Sequence, residues 1–168
     1  VLQTLDLHGN YIGPGGAQAI AGALESNNTL QRLNLQFEDI GPGGAQVIAD
    51  ALKTNVTLQT LDLTGSKIGS GGTQEIAGAL KTNKTLLTLN LQQNEIGPEG
   101  AEAIADTLRT NTTLQTLGLR YNNIKLKGAI ALAGALETNN ALQILNLCGS
   151  YGGNHIGPRG AQALAGAL

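Results

Sequence analysis

The sequence predicts a curved α/β solenoid, with a parallel β-sheet on the concave face, α-helices on the convex face and six repeats of 28 residues. Three observations lead there. Similar stretches begin at Leu2, Leu30, Leu58, Leu86, Leu114 and Leu142, 28 residues apart, and self-similarity at such a period marks a stacked-repeat architecture. Each stretch switches its hydrophobic period once, from the alternation of a strand to the stripe of a helix. The chain is 41% hydrophobic yet has no Trp, no Met, one Phe and three Tyr, so its core must be built from Leu, Ile, Val and Ala.

The first unit, "LQTLDLHGNYIGPGGAQAIAGALESNNT", sets the pattern. Leu5 and Leu7 alternate with Thr4, Asp6 and His8, as in a strand with one buried face. Pro and Gly in "GPGG" suit the turn and the first helical residues. Ala17, Ile20, Ala21 and Leu24 then form the stripe of an amphipathic helix. Ala19, Gly22 and Ala23 on its other faces are expected to let neighbouring helices pack closely. Asn10, Asn94, Asn122 and Asn154 sit where strands end, where an amide can satisfy backbone groups of adjacent turns. The second and third units place Glu38 and Ser66 there, which predicts looser turn contacts. The fifth unit replaces "GPGGAQ" with "KLKGAI", putting Lys125, Leu126, Lys127 and Ile130 on the outer rim; this reads as drift in one repeat. The sixth carries four extra residues between Leu147 and Ile156 whose placement is ambiguous.

The repeats therefore run 2–29, 30–57, 58–85, 86–113, 114–141 and 142–168, forming a single domain over 1–168. Parallel strands stack about 4.8 Å apart and packed helices roughly 8–10 Å apart, so the stack must curve with its strands inside. The terminal units look like interior ones, with no polar cap. The expectation is a fragment of a longer protein or ends that self-associate end to end. Irregularities such as "CGSYGGNH" favour a natural fragment over an engineered array.

The unit "LxxLxLxxNxIG…GaxxIAxAL" resembles the leucine-rich repeat family, in its ribonuclease-inhibitor-type subclass, over all six units. The regular spacing and the "NxTLxxLxL" junction look most like NOD-like-receptor repeats. The resemblance implies a non-enzymatic, cytoplasmic protein–protein interaction module, such as a ligand-sensing or autoinhibitory repeat region in innate immunity. Its alternatives are a regulator of a small GTPase, as in the activator of Ran, or a structural, self-assembling array.

Composition narrows the function classes. The net charge of −2 is far from the basic balance that nucleic-acid binding requires. No apolar run approaches the roughly 20 residues that cross a membrane. A single Cys suits a reducing compartment. Cys148 takes an outward seventh position of its unit, and His155 lies beyond the inserted loop with no third residue to orient it. The pair thus reads as surface and not as nucleophile and base. The repeated "IGPGGAQ" turns lack the Lys-Ser/Thr of a phosphate loop, and no metal-ligand spacing occurs. No catalytic residue, cofactor or metal is expected. Asn27, Asn55, Asn83 and Asn111 match glycosylation acceptors, but their common place just after the helix points to a turn requirement.

The variable positions carry the functional expectation. The third, fifth, seventh, eighth and tenth residues of each unit project from the sheet or from its strand-to-helix loop. All aromatics of the chain, Tyr11, Phe37, Tyr121 and Tyr151, fall in this loop region or the insertion. Aromatics and Arg dominate binding hot spots. The expected protein-binding residues are Phe37, Tyr121, Tyr11, Arg32, Arg120 and Tyr151. Asp6, Asp62, Lys67 and His8 are expected to set complementarity. The identity of the protein partner is open.

Overall fold

The structure, a computed structural model, describes residues 1–149 and 153–168. Six strands, β1 (Thr4–Asp6), β2 (Arg32–Asn34), β3 (Thr60–Asp62), β4 (Thr88–Asn90), β5 (Thr116–Gly118) and β6 (Ile144–Asn146), alternate with six helices. The helices are α1 (Gly13–Ser26), α2 (Gly41–Thr54), α3 (Gly69–Leu80), α4 (Gly97–Leu108), α5 (Lys125–Leu136) and α6 (Gly157–Gly166). The strands form one parallel sheet in chain order. Leu5, Leu33, Leu61, Leu89, Leu117 and Leu145 stand in register, so the sequence period is the structural rise. Every helix packs only against its sequence neighbours, the signature of a quasi-one-dimensional stack.

The core follows the repeat. In the third unit Leu58, Leu61, Leu63, Ile68 and Ile76 are completely buried, each contributing about 1.5–3 kcal/mol. The terminal units have one neighbour instead of two, and there Leu2 is 59% exposed. The small residues that admit close helix approach are only in part the expected ones. Gly22 has open space where a Cβ would stand, whereas a Cβ on Gly72 would come 2.7 Å from that of Ala45, and one on Gly128 2.7 Å from that of Ala101. Close packing is therefore set also at the first helical turn, where glycine faces an alanine of the preceding repeat or, for Gly100 in α4, Thr73. Of the expected helper positions, Ala19, Gly22 and Ala23 are all exposed in α1, though Ala51 and Ala79, the counterparts of Ala23, are buried.

Two side-chain ladders bind repeat to repeat. After each helix from α1 to α5, an asparagine turns the chain back to the sheet. The Nδ2 of Asn83 donates to the carbonyls of Leu52 (2.7 Å) and Asn55 (3.3 Å), and its Oδ1 accepts from the amides of Thr85 (3.0 Å) and Leu86 (2.9 Å). Asn55 and Asn139 repeat this arrangement, as does Asn111 toward Leu80, Thr113 and Leu114. Asn55, Asn83 and Asn111 are buried, so the turn accounts for the glycosylation-like motifs there.

The second ladder follows each strand. Asn94 donates to Leu63 O (2.7 Å) and accepts from the amides of Ser66 (3.1 Å) and Ile68 (3.2 Å). The expected loosening at Glu38 and Ser66 is partial, each residue keeping one half of the asparagine's bonds. The two carboxylate oxygens of the fully buried Glu38 accept from the amides of Asn10 and Ile12, both at 2.8 Å. The Ser66 hydroxyl donates to Leu35 O at 2.7 Å. Glu38 keeps the acceptor half of the asparagine's work and Ser66 the donor half.

Candidate protein-binding surface

The concave face is built from short side chains that bond to one another. Asp62 on β3 is its centre: Oδ2 accepts from Gln36 Nε2 (2.9 Å) and Asn90 Nδ2 (2.8 Å), and Oδ1 from the Thr64 hydroxyl (2.6 Å) and amide (3.0 Å). Asp6, at the exposed edge, accepts from the His8 amide at 3.1 Å. Arg32 is exposed on β2. Neither Arg32 nor Arg120 has a carboxylate within ion-pair distance among the described residues.

The strand-to-helix loops form a rim with an unusual backbone. Phe37 and Tyr121, at the eighth position, have φ of +56° and +55°, and Tyr11 and Lys67, at the tenth, +55° and +56°. Left-handed backbone costs a non-glycine residue about 1–2 kcal/mol, so these loops hold their side chains at a local cost offset by the ladders beneath. Lys125 adopts φ +60° where the other helices open on glycine, so the fifth unit's departure brings backbone strain with it.

The predicted residues gather into two groups. Phe37 lies across Gly65, leaving no room for a Cβ there, and its ring sits 5.6 Å from that of His8. Tyr11 stands nearby at 81% exposure. Three strands on, the Arg120 guanidinium lies 5.4 Å over the Tyr121 ring, a cation–π arrangement. The two groups are about 14 Å apart along the sheet, from the spacing of parallel strands. Lys67 joins neither group; it is paired to Asp39 at 2.7 Å. Tyr151 lies outside the described residues.

Cys148 is exposed, its amide donating to Asn146 Oδ1 at 3.1 Å. Asn154 takes the ladder place, donating to Leu119 O at 2.8 Å, and the Tyr121 amide donates to Cys148 O. The four-residue insertion therefore falls between Cys148 and Asn154. On the convex side Lys127 bonds Glu102 at 2.9 Å, which raises its pKa above the ordinary 10.5, first through that hydrogen bond and then through the charges of Glu102 and Glu99.

Gly118 and Gln92, variable positions outside the expected binding residues, lie beside Arg120 on the sheet. A Cβ on Gly118 would stand 2.5 Å from Asn90 Oδ1 and 3.2 Å from Gln92 Nε2. The available signal was a glycine at the fifth position, which is otherwise Asp or Asn, beside the one cation at the seventh. The sequence reading missed a groove of about 530 Å³ along the first helix-to-strand turns, lined by Gln3, Gln31, Gln59, Thr29, Thr57 and Val56 among others.

The leucine-rich repeat family model matches residues 1–21, 26–49, 54–77, 82–105, 110–133 and 138–165. The chain belongs to the leucine-rich repeat family. No curated protein matches it. Among solved structures, leiomodin-1 actin-binding site 2 superposes with a TM-score of 0.71 at 22% identity, covering 88% of this chain and 86% of that one. The tropomodulin C-terminal domain of Caenorhabditis elegans gives 0.75 at 13% identity, covering 90% of each. At these identities the likeness is one of fold: a leucine-rich repeat stack of closely similar extent. No helix among the described residues is long and apolar enough to cross a membrane.

Proposed function

We propose that this leucine-rich repeat domain is a non-enzymatic recognition module whose concave sheet and strand-to-helix rim engage a protein partner. The observation that carries the reading is the placement of Tyr11, Phe37 and Tyr121 on left-handed rim positions beside a bare sheet. Parallel sheets are ordinarily covered on both faces, and aromatic and Arg side chains are the usual hot spots. The resemblance of the repeats to those of NOD-like receptors frames the module as a ligand-sensing or autoinhibitory region. One structural neighbour is an actin-binding site, which makes actin the first purified partner to try.

The test is Phe37→Ala combined with Tyr121→Ala. Both side chains are at least partly exposed, so circular dichroism should be unchanged, while capture of the wild-type's partners should fall by about tenfold or more, the worth of one hot spot. Undiminished capture by the folded double variant would remove this surface from the function. Acceleration of Ran-type GTP hydrolysis by the purified domain would favour the GTPase-regulator reading instead.

A further inference from the structure

One rung of the concave sheet lacks a group that the others possess. The fifth position of the repeat is Asp6, Asn34, Asp62, Asn90 and Asn146, but Gly118 on β5. On four rungs the side-chain Oδ1 accepts the amide two residues on: His8 at 3.1 Å, Gln36 at 3.1 Å, Thr64 at 3.0 Å and Cys148 at 3.1 Å. Gly118 has no such oxygen, and the Arg120 amide, which stands in the corresponding place, has no acceptor among the described residues.

The donors go further than that amide. Arg120 Nε is buried with no hydrogen-bond partner among the described residues. Its guanidinium plane is held over Tyr121. The place a Gly118 Cβ would occupy is flanked by one acceptor, Asn90 Oδ1 at 2.5 Å, and by a further donor, Gln92 Nε2 at 3.2 Å. A buried donor without a partner is costly, more so when it is charged.

We propose that the rung at Gly118 is a subsite for a carboxylate supplied by the protein partner, an Asp or Glu side chain that completes the rung from outside. This rests on the reading that the concave face meets a protein. The chain's own sequence identifies the missing group, because every other rung carries a carboxylate or its amide there. Charge selects between the two: a guanidinium with no counter-ion among the described residues favours the carboxylate, which its two Nη groups can meet as a fork from outside while the buried Nε lies beneath. Asp62 shows the completed counterpart two rungs away, with its carboxylate taking four donors.

The test needs no partner protein. The Arg120 Nε–H and backbone amide are followed by ¹H–¹⁵N NMR at low ionic strength during titration with N-acetyl-aspartate N-methylamide, then with its asparagine analogue. Both resonances should move saturably, with the aspartate compound binding about tenfold tighter. Gly118→Asp supplies the carboxylate internally; it should shift the same resonances without ligand and abolish the titration. Should crowding by Asn90 unfold that variant, Arg120→Lys decides, since it keeps the charge but not the fork and should lose the preference for aspartate. No saturable movement in the wild type, an undiminished titration in folded Gly118→Asp, or a retained aspartate preference in Arg120→Lys would each overturn the subsite. Failure here while Phe37→Ala with Tyr121→Ala still abolishes capture removes the subsite alone. A successful titration with undiminished capture supports the subsite and removes the larger reading.

Discussion

The two turns of each repeat meet the same demand in different ways. After every helix from α2 to α5 the answer is one residue: Asn55, Asn83, Asn111 and Asn139 donate back to the preceding repeat and accept from the leucine amide that opens the next. After the strands the answer varies. Asn94, Asn122 and Asn154 do both jobs, Glu38 only accepts and Ser66 only donates. The difference is one of tolerance. The helix-to-strand turn is uniform scaffold, while the strand-to-helix turn survives on half a ladder rung and carries the aromatic display. Variation and display share one side of the molecule because the left-handed loop backbone there points side chains outward.

The most direct way to break this comparison is Asn83→Ala. It strips partners from four backbone groups between the second and fourth repeats, for a loss of about 3–5 kcal/mol at roughly 1–3 per buried group with partial relaxation. In a nearest-neighbour stack this weakens one interface and not all, so calorimetry should show the single melt lowered or split in two. A loss below about 1 kcal/mol would mean that water or relaxation replaces the ladder.

Glu38→Gln breaks the variable side more gently. The amide offers one acceptor oxygen where two amides, Asn10 and Ile12, converge on two, and its Nε2 then faces a donor. About 1–3 kcal/mol should be lost, with hydrogen exchange accelerated at Asn10 or Ile12 and not in the fifth repeat. Unchanged exchange at both would show that the carboxylate is not the acceptor these loops depend on.

Much of this molecule was legible because a 28-residue translation brings like chemistry to like places. The strand and helix of each unit, the Leu/Ile core and the turn role of Asn83 could all be read from the period. What escaped depended on which neighbour a side chain meets. Taken alone, Glu38 and Ser66 look like losses; only the facing carbonyls and amides of the preceding repeat show that each keeps half the function. Gly22 and Gly72 look equally able to admit a helix, yet only Gly72 faces an alanine. The left-handed backbone at Phe37 and Tyr121 was masked by aromatics, although Gly9 and Gly65 at the same repeat position, and Asp39 and Asn123 two residues on in theirs, are types that tolerate it. At the binding surface the aromatics were visible as a set, but their division into a His8–Phe37 group and an Arg120–Tyr121 group was not, because it depends on which units place glycine or glutamine between them.

Ser66→Asn sharpens the comparison by restoring the missing half. With serine in place, the amides of Glu38 and Ile40 have no acceptor among the described residues, whereas the equivalent amides of Ser66 and Ile68 are held by Asn94. Asparagine fits the same place in the fourth and fifth units, where Asn94 and Asn122 are fully buried, so its volume is compatible with the stack. The substitution should keep the bond to Leu35 O, now from Nδ2, and add acceptance from Glu38 and Ile40. A gain of about 1 kcal/mol follows, read as a higher denaturant midpoint at unchanged slope and slower exchange at those two amides. A lower midpoint would mean that the buried Glu38 carboxylate requires the smaller serine beside it, making the two departures a matched pair.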